Sequence, residues 1–557
     1  MIKTNIVSSL EKIFLDRTIE SYPVLTEMSA LKNERISFQL VYTADDDGPD
    51  CTICGISVDG DLAEFADVRA VRNVPVEFPT YGFVNDDNYL SMKPGLYPDL
   101  LTPLNYGGRV TILKNRLMAV WIVIDLRADF DKIDAGRHTV KVTLANAGGI
   151  VAENSLTVEI IDALIPKQTL VYTEWFHSDC LADYYGCEVW SEEHWKIIER
   201  FAKTAVSNGI NTILTPIFTP PLDTAVGGER LTTQLLDVKL IGNDEYEFGF
   251  SKVDRWVDMC NRVGIEYFEI SHLFTQWGAH NAPKVVADVD GKITKIFGWE
   301  TDATSDKYVK FLRSALSALI EHMKTLDADK RCFFHISDEP SYGVKESYKA
   351  AKESVADVLE GHTVIDALSD YEFYSEGLVK TPIPASDHIS RFIEGGVKDL
   401  WTYYCCGQNT AVSNRFIAMP AWRTRSIGMQ FFKYDIKGFL QWGYNFYNNM
   451  SSDSIINPYI DQSAEYQVPA GDAFSVYPGI GGRPLESTRI ISFYEAVQDL
   501  GAMKLCAELC GKEKTVEEIE RIFGEGIAFD RCAKDAKTVI AIREAVNSMI
   551  KSALQKR

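Results

Sequence analysis

Apolar positions alternate with polar ones, or run together in β-branched and aromatic stretches, over residues 35–42, 118–125 and 138–144. Such segments read as strands. Turn-formers at 46–49, 135–136 and 147–149 separate them, and no long amphipathic pattern interrupts the chain before about Asp162. The expectation is an N-terminal antiparallel β-sandwich over residues 1–165, with 163–167 as the link out of it.

From about Thr169 the rhythm changes. Strand-like runs at 170–177, 211–216, 265–272, 332–336, 363–368, 399–404 and 438–444 alternate with helical patterns at 191–206, 253–263, 306–324, 341–360 and 413–434. The Ser191-Glu-Glu-His194 start offers an N-cap and first-turn acids. Repeated βα units predict a parallel sheet. About eight strands over roughly 310 residues fit a (β/α)8 barrel with loop insertions, placed at residues 166–486. A doubly wound open sheet is the fallback, but no Gly-x-Gly-x-x-Gly follows an early strand. Residues 487–557, with patterns at 490–507, 515–523 and 533–554, read as a helical C-terminal region closing or packing on the barrel.

Composition narrows the function classes. The chain of 557 residues is 46% hydrophobic and 24% charged, as globular proteins are. A net charge of -22 with no run of Lys or Arg would repel a phosphate backbone, so no nucleic-acid partner is expected. No apolar run approaches the roughly 18 residues that span a bilayer, so no membrane partner is expected either. The first ten residues lack a signal-peptide core, which predicts a cytoplasmic location. The 11 cysteines are odd in number and scattered, as reduced thiols would be. Cys51-x-x-Cys54 has no second pair at zinc-site spacing, and no His-Glu-x-x-His occurs. His177 with Asp179, or Glu269 with His272, could ligate a metal, but the spacing does not demand it; no metal and no cofactor is expected. Nothing in the sequence fixes the oligomeric state.

In a barrel, functional side chains come from the C-terminal ends of strands and the loops beyond. Those ends carry His177 and Asp179; His272 and Trp277; His335, Asp338 and Glu339; Trp401 and Tyr403; and Trp442, Tyr444 and Asn445. Carboxylates, imidazoles and large rings at one rim suit a sugar, whose C–H faces stack on aromatics and whose hydroxyls bond to charged groups. Each residue also has a plainer reading. His177 could be a satisfied structural histidine, and Trp401 and Trp442 could be core. Asp338 could cap a helix with Pro340 in its first turn. A cap explains one carboxylate, not two. Adjacent acids at a strand end repel each other, which raises one of them into the range of a general acid.

The chain resembles glycoside hydrolase family 123, the β-N-acetylgalactosaminidases. The resemblance rests on residues 33–39, 174–185, 227–234 and 271–278, the Asp338-Glu339-Pro340 core, and residues 438–447. It implies a substrate-assisted retaining mechanism, one of the exceptions to the two-carboxylate scheme. The substrate's 2-acetamido oxygen would attack the anomeric carbon and form an oxazolinium ion. Glu339 would protonate the leaving oxygen and later activate water, while Asp338 would orient the acetamido N–H. Trp401, Tyr403, Trp442 and Tyr444 are the candidates for a cage around the acetamido methyl. The implied partner is a small oligosaccharide or glycoconjugate. Two other readings stay open. One is a conventional glycosidase in which Glu269 or Asp366 is the second carboxylate; the other is a catalytically silent carbohydrate-binding protein.

Overall fold

The computed structural model describes residues 1–83, 86–104 and 107–556. Its first part is two five-stranded sheets. One orders Ile2–Ser8, Arg35–Ala44, Met118–Asp125, Ala66–Val76 and Gly95–Pro103, all antiparallel. The other orders Glu27–Leu31, Gly149–Ile161, Gly136–Asn146, Cys51–Asp59 and Arg109–Leu113. Here the expected antiparallel pattern has one exception, because Glu27–Leu31 runs parallel to Gly149–Ile161. That strand arrives by a crossing from the other sheet, and only a hairpin would have forced it antiparallel.

Alternation sends Ile36, Phe38, Leu40 and Tyr42 into the sandwich core with Ile122, Ile124, Val140 and Val142. The opposite parity, Val41, Ala119, Trp121 and Val123, joins the core that also contains the barrel. Met118–Asp125 is therefore buried on both faces, which accounts for its unbroken apolar run.

Eight parallel strands follow in chain order around a barrel: Val171–Glu174, Thr212–Thr215, Tyr267–Ile270, Cys332–Phe334, Thr363–Ala367, Thr381–Ile383, Trp401–Tyr403 and Gly438–Gln441. The eighth pairs with the first, Gly438 opposite Val171. Between the sixth and seventh the join is slight, a single bridge from Ala385 to Tyr403. Tyr403 N–H donates to the Pro384 carbonyl at 3.1 Å and Ser386 N–H to the Tyr403 carbonyl at 2.8 Å.

Three expectations need correction. The sixth strand, a Thr-Pro-Ile segment, is too short and too proline-bound to show a strand pattern. Residues 341–360 yield only a 3-10 turn, Tyr342–Val344, and the helix Lys345–Glu353. Residues 413–434 yield two short helices, Ala421–Arg425 and Ile427–Lys433. A four-stranded sheet of Asp237–Gly242, Glu245–Gly249, Val285–Val289 and Lys292–Phe297 is inserted beside the barrel. The helix Glu192–Ser207 starts as expected, Ser191 Oγ accepting from His194 N–H at 3.3 Å.

The C-terminal helices Thr488–Cys510, Lys512–Phe523 and Ala536–Leu554 tie the parts together. Arg489 donates through Nε and Nη2 to both oxygens of sandwich residue Asp99, at 2.9 and 3.0 Å, with both side chains buried. Arg425 and Arg543 share Asp499, and Arg543 reaches Glu34 of the sandwich at 2.7 Å. Buried charges of this kind are stable only as complete sets.

Trp401 begins the seventh strand and fills the barrel interior there, edge-on to Phe333 at 5.3 Å. A Cβ on Gly438 would come within 2.0 Å of its ring. Gly438→Ala is therefore expected to destabilise the fold by about 1–3 kcal/mol through overpacking, read from urea unfolding.

Candidate active site

The fourth strand leaves regular pairing at Phe334, yet the segment beyond it is pinned on both sides. Leu273 and Phe274 N–H donate to the carbonyls of His335 and Ile336 at 3.1 Å each, and Trp277 N–H to that of Asp338 at 2.8 Å. Glu339 N–H donates to the Ala367 carbonyl at 3.0 Å. Within this clamp Glu339 has φ 42, in the left-handed region that a glutamate rarely occupies. Neighbours in an extended strand point to opposite faces. The left-handed turn breaks that alternation, and both carboxyls share one well.

Glu339 is exposed at the rim and accepts from Tyr403 OH at 2.5 Å, across the barrel mouth. Asp338 is half-buried. Desolvation and the charges of Glu339 and Asp223 push its carboxyl well above the usual carboxylate range. It caps no helix, because the next turn begins at Tyr342 behind Ser341.

Beneath the pair, the barrel is filled by a charged network. His335 Nε2 bonds Glu269 Oε1 at 2.6 Å and Nδ1 bonds Asp366 Oδ1 at 3.2 Å. Thr173 and Trp175 also donate to Glu269, while Tyr348 OH and Ile336 N–H donate to Asp366. Burial opposes a charge on His335, but bonding to Asp366 and Glu269 outweighs it and raises the imidazole to about 9. His272 stacks on His335 at 4.2 Å and stays neutral, driven well below its ordinary value by burial and by its charged neighbour. Both of its ring nitrogens lack hydrogen-bond partners among the described residues.

A second cluster surrounds Arg230, which lies outside any strand. Its Nε and Nη2 clamp Asp179 at 2.7 and 2.8 Å, and Nη2 donates to His177 Nδ1 at 3.0 Å. His177 Nε2 lies 2.8 Å from the Trp442 carbonyl, so the proton sits on Nε2. Burial, followed by the Arg230 charge, lowers His177 to about 3 and keeps it neutral. Asn445 exchanges two bonds with the backbone of His177, at 2.9 and 3.0 Å. Trp442 is held through Nε1 by Asp472 at 2.9 Å. His177, Asp179 and Asn445 thus act here as a scaffold holding the backbone of Trp442.

The structure brings Asp338, Glu339 and Tyr403 together, with His335 and His272 below them. Trp277, 54% exposed and at φ 62, stands beside Asp338 at the rim. Besides the scaffold residues His177, Asp179 and Asn445, two more residues expected at the sugar are placed elsewhere. Trp401 sits at the starting end of its strand, packed on Phe333 and Gly438. Tyr444 is buried and turned outward, its OH donating to the Phe201 carbonyl on a surrounding helix at 2.8 Å. Sequence reading missed Arg230, Asp223 and Asp472, which lie in loops without periodic pattern; only the segment 227–234 pointed towards Arg230.

The folded value of His335 is above that of the unfolded chain, so its contribution to stability is complete below about pH 6.5 and is lost as pH rises through about 9. The stability difference between the wild type and His335→Gln should therefore shrink steadily across that interval in denaturant titrations at each pH.

The sequence model described as glycoside hydrolase 123, catalytic domain, matches residues 175–506. Among solved structures, a family 123 glycoside hydrolase from Clostridium perfringens, described for glycolipid glycan hydrolysis, superposes with TM-score 0.74 at 14% identity, covering 100% of this chain and 98% of that one. A family 5 xyloglucanase from Bacteroides ovatus, at TM-score 0.30 and 11% identity, covers 85% and 97%. A β-glucuronidase from Ruminococcus gnavus, at 0.31 and 10%, covers 88% and 72%. No curated protein sequence matches the chain. With more than half of its length matched, and a sandwich, barrel and helical tail that superpose along the whole chain, the protein belongs to glycoside hydrolase family 123.

Proposed function

We propose that the enzyme is an exo-acting, retaining β-N-acetylhexosaminidase that releases terminal N-acetylgalactosamine by substrate-assisted catalysis. The observation that carries this reading is the left-handed backbone at Glu339, which turns two adjacent carboxyls into one well. The substrate is a small oligosaccharide or glycoconjugate, glycolipid glycans included.

In the free enzyme, burial and the nearby carboxylates favour a proton on Asp338. With the acetamido N–H bonded to ionised Asp338, that proton rests on Glu339, which protonates the departing glycosidic oxygen. The acetamido oxygen closes on C1 as that bond breaks. Asp338 then faces the positive oxazolinium ion, whose charge favours its ionised form. Glu339, now a base, takes a proton from the water that opens the ring. Tyr403 orients Glu339 throughout.

The conventional two-carboxylate alternative called on Glu269 or Asp366. Both are fully buried and saturated by His335, Thr173, Trp175, Tyr348 and the Ile336 amide, so neither is free to attack. We also propose a cytoplasmic location, since the 11 cysteines are odd in number and scattered, as reduced thiols would be. No helix among the described residues is long and apolar enough to cross a membrane.

A panel of aryl β-glycosides tests the assignment. The N-acetylgalactosaminide should be cleaved and the plain galactoside spared. Glu339→Gln should lose about 10²- to 10⁴-fold in kcat, and Asp338→Asn should turn over slowly and bind thiazoline inhibitors weakly. Most activity surviving in both variants, or equal cleavage of the two sugars, would end the reading.

A further inference from the structure

Asp223 lies in the segment beyond the second barrel strand, at φ 49, pinned from two other loops. Its N–H donates to Gln276 Oε1 at 2.8 Å, and its carbonyl accepts from Ser452 Oγ at 2.7 Å. These bonds fix the backbone from which the carboxyl projects. Gln276, which holds it, immediately precedes Trp277, whose N–H is bonded to the Asp338 carbonyl at 2.8 Å, so Asp223 lies beside the pair, and its charge acts on Asp338. Oδ2 is buried and has no hydrogen-bond partner among the described residues. Arg230, the cation whose field it feels, is clamped on Asp179. Leaving a buried carboxylate oxygen unpaired is unfavourable. The penalty is offset where a bound molecule supplies the donor, and sites built this way discriminate strongly against analogues lacking it.

We infer that Asp223 is a specificity-determining residue that accepts a hydrogen bond from one hydroxyl, at C3, C4 or C6, of the hexosamine bound against Asp338 and Glu339. The inference rests on the N-acetylhexosaminidase reading. In that reading the substituents at C1 and C2 are engaged by Glu339 and Asp338, which leaves those three hydroxyls to be recognised. Burial, against the pull of Arg230, raises the Asp223 carboxyl to about 7; its ionised form accepts only, and a hydroxyl donating to it favours that form through a charge-assisted, directional bond. Asp472 cannot serve in the same way, because its oxygens already hold Trp442 and Gln441.

The test compares wild type with Asp223→Asn, which preserves shape and both backbone bonds, and with Asp223→Ser as a second variant should the first not fold. The substrates are an aryl β-N-acetylgalactosaminide and its 3-, 4- and 6-deoxy analogues. The variant should lose roughly 10- to 100-fold in kcat/KM on the parent substrate. One deoxy analogue should lose as much with wild type and nothing further with the variant, the signature of a shared contact. Unchanged kcat/KM in the variant, or full additivity for all three analogues, overturns the assignment. Restoration of kcat by azide with release of a glycosyl azide also overturns it, since Asp223 is then a nucleophile. If wild type cleaves no N-acetylhexosaminide, the functional reading has failed by itself. The same cycle is then run on calorimetric binding of N-acetylgalactosamine and its deoxy forms, where additivity or no binding at all overturns the hydroxyl contact too.

Discussion

Everything at the mouth of this barrel stands on one buried cation. His335 could not remain charged in an apolar interior without Glu269 and Asp366 against it. Together they tie the third, fourth and fifth strands just below the point where the fourth delivers its acids. The imidazolium also opposes the rise of Asp338, which burial and then its carboxylate neighbours drive upward. A neutral floor would leave that repulsion unrelieved and the ends of the strands free to shift.

Above this floor the chain accepts unfavourable backbone to do chemistry. Trp277, Ala279 and Glu339 all have positive φ and lie on adjoining segments. Such residues persist only where the surroundings over-determine them. Here the surroundings are the backbone bonds to the Leu273–Trp277 stretch on one side and to Ala367 on the other. The strain lies within the pair itself and gives two consecutive carboxyls a common direction.

The sequence displayed what repeats and concealed what does not. Strands rich in Val, Ile and aromatics were legible, and so was the capped helix at Ser191. The Thr-Pro-Ile strand was not, since three residues with a proline carry no period. The strand-end rule led to Asp338, Glu339 and Tyr403 at the rim and to His335 just beneath them, because alternation in a parallel barrel turns those strand-end positions inward. It failed for Trp401 because inward-pointing positions recur every two residues down the strand: Trp401 shares the inner face with Tyr403 but lies at the other end. It failed for Tyr444 because the chain turns after Gln441, sending the ring outward. Asp223, Arg230 and Asp472 are positioned by long-range bonds between loops, and no local spacing encodes them.

The double burial of Met118–Asp125 has a practical meaning for anyone dissecting this enzyme. The matched catalytic segment begins at residue 175 and stops inside the helix Thr488–Cys510. A fragment cut to those limits would open the shared core that Trp121 and Val123 help to fill and strand Arg489 without Asp99. The sandwich is a structural wall of the hydrolase rather than a detachable accessory, and truncation should yield aggregate instead of a minimal enzyme.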